Sequence, residues 1–273
     1  MPTDIPNGPL RHATLIVAEA SALTDAYGLL GLAPVGRDMV STAQAQTWCR
    51  PALAGCAVTW LAAPDSPALL RVIESPAAAT RPTRLCHGWL ALEILVRDVD
   101  ELGRRLQGSA FEIVGAPADL AVSPAIRAMQ VVGPAGEMLY LTQVKQPVPP
   151  FELPLSTELT AAQDLGALFI GVMSVPDREA ALNACGPLAP RATLRFDTRV
   201  TVLSRALERP LDHPWPVATL QWAGRSLFEI DEVRDERVAS PAPGQPPDGL
   251  AWLTMQGSTG MRELAPGVWL EGA

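Results

Sequence analysis

Leu10-Arg-His-Ala-Thr-Leu-Ile-Val17 is an apolar, β-branched run behind a leader rich in Pro, Gly and Asn, and it predicts a strand. Ser21 is placed to cap a short amphipathic helix through Tyr27 and Leu30, which Gly31 ends. Strand signals follow at residues 46–49, 56–62 and 69–74, separated by Pro, Gly and Asp. The order is β, α, β, β, β.

The same order recurs. Leu92-Glu-Ile-Leu-Val-Arg-Asp-Val-Asp-Glu-Leu102 spans the end of a strand over 89–96 and a helix over 99–106 opened by Asp98. Strands are expected near 111–114, 126–132 and 138–144. A repeat of this size is an architectural signal, and it predicts a domain over 1–146 made of two modules, about 10–76 and 84–146. The stretch Gln146-Pro-Val-Pro-Pro-Phe-Glu-Leu-Pro154 has the stiffness of a linker, set at 147–160. A third copy follows, with strands at 167–175, 193–202, 217–222 and 226–233 and a helix over 177–184. Beyond the Pro- and Gly-rich loop 239–249, only 249–256 and 268–270 keep strand character, so residues 161–273 are expected to form a second, partly truncated domain.

Together with Gly133-Pro-Ala-Gly-Glu-Met-Leu-Tyr-Leu141, these segments resemble the vicinal oxygen chelate superfamily, which includes glyoxalases, bleomycin-resistance proteins and extradiol dioxygenases. The likeness covers the first 146 residues well and the rest loosely. It implies an α+β fold of tandem βαβββ modules curled into an open barrel around a cleft, followed by a shorter domain of related topology. In metal-dependent members the first and last strands of each module supply the ligands. Carried over position by position, these fall on His12, Arg71, Ala91 and Tyr140, the last lying four residues after the turn glycine Gly136. One imidazole, a guanidinium, a methyl and a phenol do not make a family-type metal centre, so no cofactor is predicted. A divalent metal would need displaced ligands, His12 with His87 and Glu74. His87 sits ~13 Å from Ala91 along a strand at ~3.3 Å per residue, and Glu74 would require a slip that reverses its face.

Without a metal, His12, Arg71, Glu93 and Tyr140 are the candidate catalytic groups, since strand parity allows them one cavity. His12 is the general-base candidate by its pKa, although a lone strand His is more often a hydrogen-bonded wall residue. Arg71 could fix an enolate or phenolate through its fork of donors, or simply reach solvent. Tyr140 could donate to an oxyanion or only pack, and Glu93 could orient a base or pair with Arg71. Trp48, Trp60, Trp89 and His87 are candidate substrate-binding residues, with core packing as the plainer role for the tryptophans. His213 lies in a proline-rigid loop expected at the surface. Glu229 stands one residue off the turn spacing from Gly224, where the third module's last-strand position falls, and Ile170 takes its first-strand position.

Composition narrows the classes. With 48% hydrophobic and 18% charged residues the chain has material for a core. A net charge of −8, without a Lys/Arg block, lacks the footprint of a nucleic-acid binder. No run approaches the ~20 apolar residues of a membrane helix, so a cytoplasmic protein without membrane partners is expected. The four scattered cysteines, Cys49, Cys56, Cys86 and Cys185, form no framework. The reading is a metal-independent lyase or isomerase acting on an aromatic or hydrophobic oxo-compound. The alternatives are a non-catalytic, bleomycin-resistance-like binder and a metal-dependent glyoxalase or dioxygenase. Modules can pair within one chain or between two, the latter giving a homodimer.

Overall fold

The computed structural model describes residues 7–120, 123–257 and 260–273. The first module holds β1 (Leu10–Val17), α1 (Ala20–Gly28), β2 (Ala33–Met39), α2 (Thr42–Thr47), β3 (Ala57–Ala62) and β4 (Leu70–Glu74). The second holds β5 (Gly88–Val96), α3 (Val99–Arg105), β6 (Glu112–Leu120), β7 (Ser123–Val132) and β8 (Met138–Val144). The third holds β9 (Leu165–Val175), α4 (Arg178–Cys185), β10 (Ala192–Arg199), α5 (Thr201–Ala206), β11 (Pro214–Gln221) and β12 (Leu227–Glu232). The fourth keeps only β13 (Gly249–Met255), β14 (Met261–Ala265) and β15 (Val268–Gly272).

The strands form two mixed sheets, β14-β15-β13-β1-β4-β3-β2 and β10-β11-β12-β9-β5-β8-β7-β6. In the first, β1 runs antiparallel to β13 and parallel to β4; in the second, β5 runs antiparallel to β9 and parallel to β8. The first module therefore joins the fourth, and the second joins the third. This corrects the expected cut into 1–146 and 161–273, which would strip β1 of β13 and β5 of β9. Repeats adjacent in sequence look like partners, but it is the pairing of first strands that joins modules into a sheet.

Strand parity places the core. Ala13, Leu15 and Val17 of β1, Leu70 and Val72 of β4, Leu92, Ile94 and Val96 of β5, and Met173 and Val175 of β9 share one buried cluster with residues of α1, α3 and α4. The sheets thus pack on each other and on the helices through one face each. An added Cβ on Gly171 of β9 would fall 2.8 Å from Trp89 and against Leu253, so glycine lets the two sheets close here. The alternate residues point to the opposite, outward faces, each with its own cluster.

Local signals account for most elements. Asp98 and Asp177 cap α3 and α4 through backbone N–H groups, and Ser41 and Gln44 close a capping box on α2. Residues 46–49, expected as a strand, instead end α2 and lead out of it; the second strand of the module is the exposed edge Ala33–Met39. Its lack of alternating burial explains why the pattern hid it. Ser21 does not cap α1. The Ala20 N–H is taken at 2.9 Å by the Glu74 carboxylate, which fixes Glu74 in a structural role.

Candidate functional site

On the outward face of the first sheet, register brings His12 of β1 beside Thr254 of β13, Thr254 beside Glu271 of β15, and Thr14 beside Arg71 of β4. Their side chains form one chain of contacts. Thr254 Oγ1 donates to Glu271 Oε2 at 2.7 Å, and His12 Nε2 lies 3.0 Å from Thr254 Oγ1. Arg71 donates to the same Glu271 oxygen at 2.6 Å and to Thr14 Oγ1 at 2.9 Å, and the Trp48 indole donates to Glu271 Oε1 at 2.6 Å.

The surroundings set the charges. Burial pushes the Glu271 carboxyl up, but the Arg71 guanidinium and the donors around it prevail and hold it below the ordinary carboxylate range. Burial also works against the charge of Arg71, and Glu271 restores part of it. The guanidinium carbon lies 4.5, 5.4 and 5.3 Å from the ring centres of Trp48, Trp60 and Trp252, an aromatic cage for a cation. Burial first, then the neighbouring Arg71, lowers His12 to about 4.

An ionised Glu271 can only accept, so the single Thr254 proton goes to it and Thr254 must accept from His12. That fixes the Nε2–H tautomer and leaves His12 Nδ1 as the free acceptor. His12 and Trp60, 5.0 Å apart edge to face, are partly exposed, as is Glu271. The rest is covered by the segment between β2 and β3, in which Trp48 and Leu53 are buried and Arg50 latches onto Asp248 at 2.6 Å.

The outward face of the second sheet carries a different set. Glu93 of β5 pairs with Tyr140 of β8, while Glu229 and Asp231 lie two apart on β12 beside Val172 and Ser174 of β9. Thr142 Oγ1 donates to Glu93 at 2.7 Å. Burial, with Glu229 nearby, raises Glu93 to about 8. Burial raises Glu229 to about 7 and, with Glu229 adding to it, lifts Asp231 well above the ordinary carboxylate range. Both Asp231 oxygens and the Tyr140 hydroxyl are buried without a hydrogen-bond partner.

No protein-family model and no curated protein sequence matches this chain. Solved structures do. Glyoxalase I from Zea mays is similar over 90% of this chain and 73% of its own, with a TM-score of 0.57 at 13% identity. A putative dioxygenase from Bacillus subtilis subsp. subtilis str. 168 is similar over 92% of this chain and 70% of its own, with a TM-score of 0.57 at 12% identity. The chain has the vicinal oxygen chelate fold.

Within this fold the expected site residues divide. His12, Arg71, Trp48 and Trp60 come together in the first sheet. Glu93 and Tyr140 lie in the second, so neither pairs with Arg71 nor faces His12. Trp89 packs in the central core against Phe228, its indole donating to the Trp269 carbonyl at 2.8 Å. His87 is buried among other partners, with Nε2 3.0 Å from the Val233 carbonyl and Nδ1 2.8 Å from Ser240 Oγ. With Glu74 tied to α1, the displaced set His12, His87 and Glu74 does not assemble. His213 packs edge to face on Trp215, 4.8 Å away, in the loop before β11.

Thr254, Glu271 and Trp252 escaped the sequence reading. The signal for Glu271 was present, since it stands four residues after the turn glycine Gly267, the same spacing that led from Gly136 to Tyr140. A family metal would meet His12 and Glu271 here, but the Arg71 guanidinium is already on Glu271, and Thr254 hydrogen-bonds Glu271 and the Nε2 of His12. No group of three His, Cys, Asp or Glu side chains able to hold a metal ion occurs among the described residues. The donor set does not fit a divalent ion.

Proposed function

We propose that this chain is a metal-independent enzyme that moves a proton on a small aromatic or hydrophobic oxo-compound, in a lyase or isomerase step, with His12 as the general base. The single observation behind this reading is the Glu271–Thr254–His12 chain, in which an ionised carboxylate orients the imidazole through a hydroxyl and leaves Nδ1 as an acceptor. Nδ1 takes the proton from the carbon beside the carbonyl, and the electron pair passes to the carbonyl oxygen as an enolate. The terminal nitrogen of Arg71 not engaged by Glu271 is the donor assigned to that oxygen, and the partly exposed Trp60 ring is the wall for a flat substrate. Tyr140, in the other sheet, has no part in this step.

The placement of Trp48 in the middle of the same face, donating to Glu271, favours a second reading in which the cleft captures a ligand without turnover. One experiment separates the two. Deuterium wash-in beside the carbonyl of a panel of aryl oxo-acids and ketones is followed by mass spectrometry in D2O. The enzyme reading predicts exchange that survives EDTA and is lost in His12→Ala. Binding without exchange supports capture, and exchange unchanged in His12→Ala removes His12 as the base.

A further inference from the structure

The second sheet holds a group that the proposed chemistry leaves unused. Asp231 is fully buried, yet neither carboxyl oxygen has a hydrogen-bond partner, and the Tyr140 hydroxyl beside it is equally unpartnered. Buried polar atoms are nearly always satisfied, and each exception calls for an explanation. Glu229, two residues earlier on the same face of β12, and Glu93 on β5 bring the count of carboxyl groups to three. None of the three forms an ion pair with a Lys, Arg or His among the described residues, although the chain forms many elsewhere. Apart from the Thr142 hydroxyl on Glu93, the acids face one another and a phenol.

What this arrangement lacks is a cation with several donors. We propose that the outward face of the second sheet is a binding site for an organic ammonium ion with an apolar body. The nitrogen is received by Asp231, Glu229 and Glu93, with the Tyr140 oxygen as a fourth acceptor. A primary ammonium carries three N–H donors, and the acceptors stand on three strands, β5, β8 and β12. Glu229 and Tyr140 are half-buried as residues, with the Tyr140 hydroxyl itself buried, and Phe151, Leu153 and Phe196 are half-buried apolar neighbours on that face. They are the surface for the ligand's hydrocarbon part. The site uses neither His12 nor Arg71, so it stands or falls apart from the proposed enzyme activity.

The free protein at pH 6 holds protons on these acids, because burial raises Glu93 to about 8 and Glu229 to about 7. A bound ammonium favours the ionised forms, so binding releases protons. Calorimetric titration with phenethylamine at pH 6, in two buffers of different ionisation heat, reads this directly. Binding with release of one or more protons per amine is expected, with the neutral analogue 2-phenylethanol and the anion 3-phenylpropionate at least about tenfold weaker. Asp231→Asn and Glu229→Gln should each weaken the amine by about tenfold or more, and both replace an acid by an amide of nearly the same shape. Should Asp231→Asn fail to fold, Glu229→Gln and Tyr140→Phe provide the same comparison. Equal binding of amine and alcohol, binding without proton release, amine affinity unchanged in the folded variants, or no heat at millimolar amine would each overturn the site. So would Mn2+ binding to these acids while the amine does not.

Discussion

Replacing Glu93 by Gln should stabilise the protein, and by an amount that grows with pH. An ordinary glutamate titrates at 4.5, whereas Glu93, buried on the second sheet, is raised to about 8. Its folded form therefore keeps a proton that the unfolded chain releases. Stability from this group is full below pH 4.5, falls as pH rises, and levels off above about 8. Each pH unit across that window costs about 1.36 kcal/mol, so at pH 7 the wild-type protein has lost about 3 kcal/mol through Glu93 alone. Gln cannot ionise, and its amide oxygen still accepts from Thr142. Urea unfolding at pH 5, 6, 7 and 8 is the assay. The variant and wild type should agree within about 1 kcal/mol at pH 5, where little of the window has been crossed, and diverge to about 3 kcal/mol at pH 7. A difference that stays flat with pH would refute the claim that Glu93 is held protonated by burial.

Three further outcomes follow from the geometry. Removing the partner of a buried cation in Glu271→Ala should cost about 3–5 kcal/mol in unfolding free energy, measured by urea titration, because Arg71 is left uncompensated among its tryptophans. If His12 is the base, kcat/KM for the exchanging substrate should be level from neutral pH downwards and fall only near pH 4, since His12 is lowered to about 4; a fall near 6.5 would point to an unperturbed imidazole. Residues 1–146 expressed alone should fail to give a dispersed NMR spectrum, because β1 loses β13 and β5 loses β9; a well-dispersed spectrum would contradict the pairing of modules.

The fold was legible where local chemistry repeats. The apolar runs at β1, β5 and β9, each followed by a helix, and the caps Asp98 and Asp177 marked three modules and the stub of a fourth. The partnering of modules was not legible, because it depends on which first strands meet edge to edge, a long-range choice that periodicity does not encode. That choice also decided the site. Assigning the first two modules to one barrel put Tyr140 and Glu93 beside His12, whereas β13 and β15 bring Thr254 and Glu271 there instead. His12 and Arg71 survived because both belong to one module and their positions depend only on the pairing of β1 with β4. Trp48 reached Glu271 and Arg71 by an unforeseen route, at the end of a helix rather than on a strand.

The most direct test of the account is the titration of His12 by NMR. The chain has three histidines, so His12→Gln assigns the signal. Held by Thr254 and lowered by burial and Arg71, His12 should titrate near 4 with its proton on Nε2. An ordinary value near 6.5, or a proton on Nδ1, would contradict the Glu271–Thr254–His12 chain on which the proposed chemistry rests.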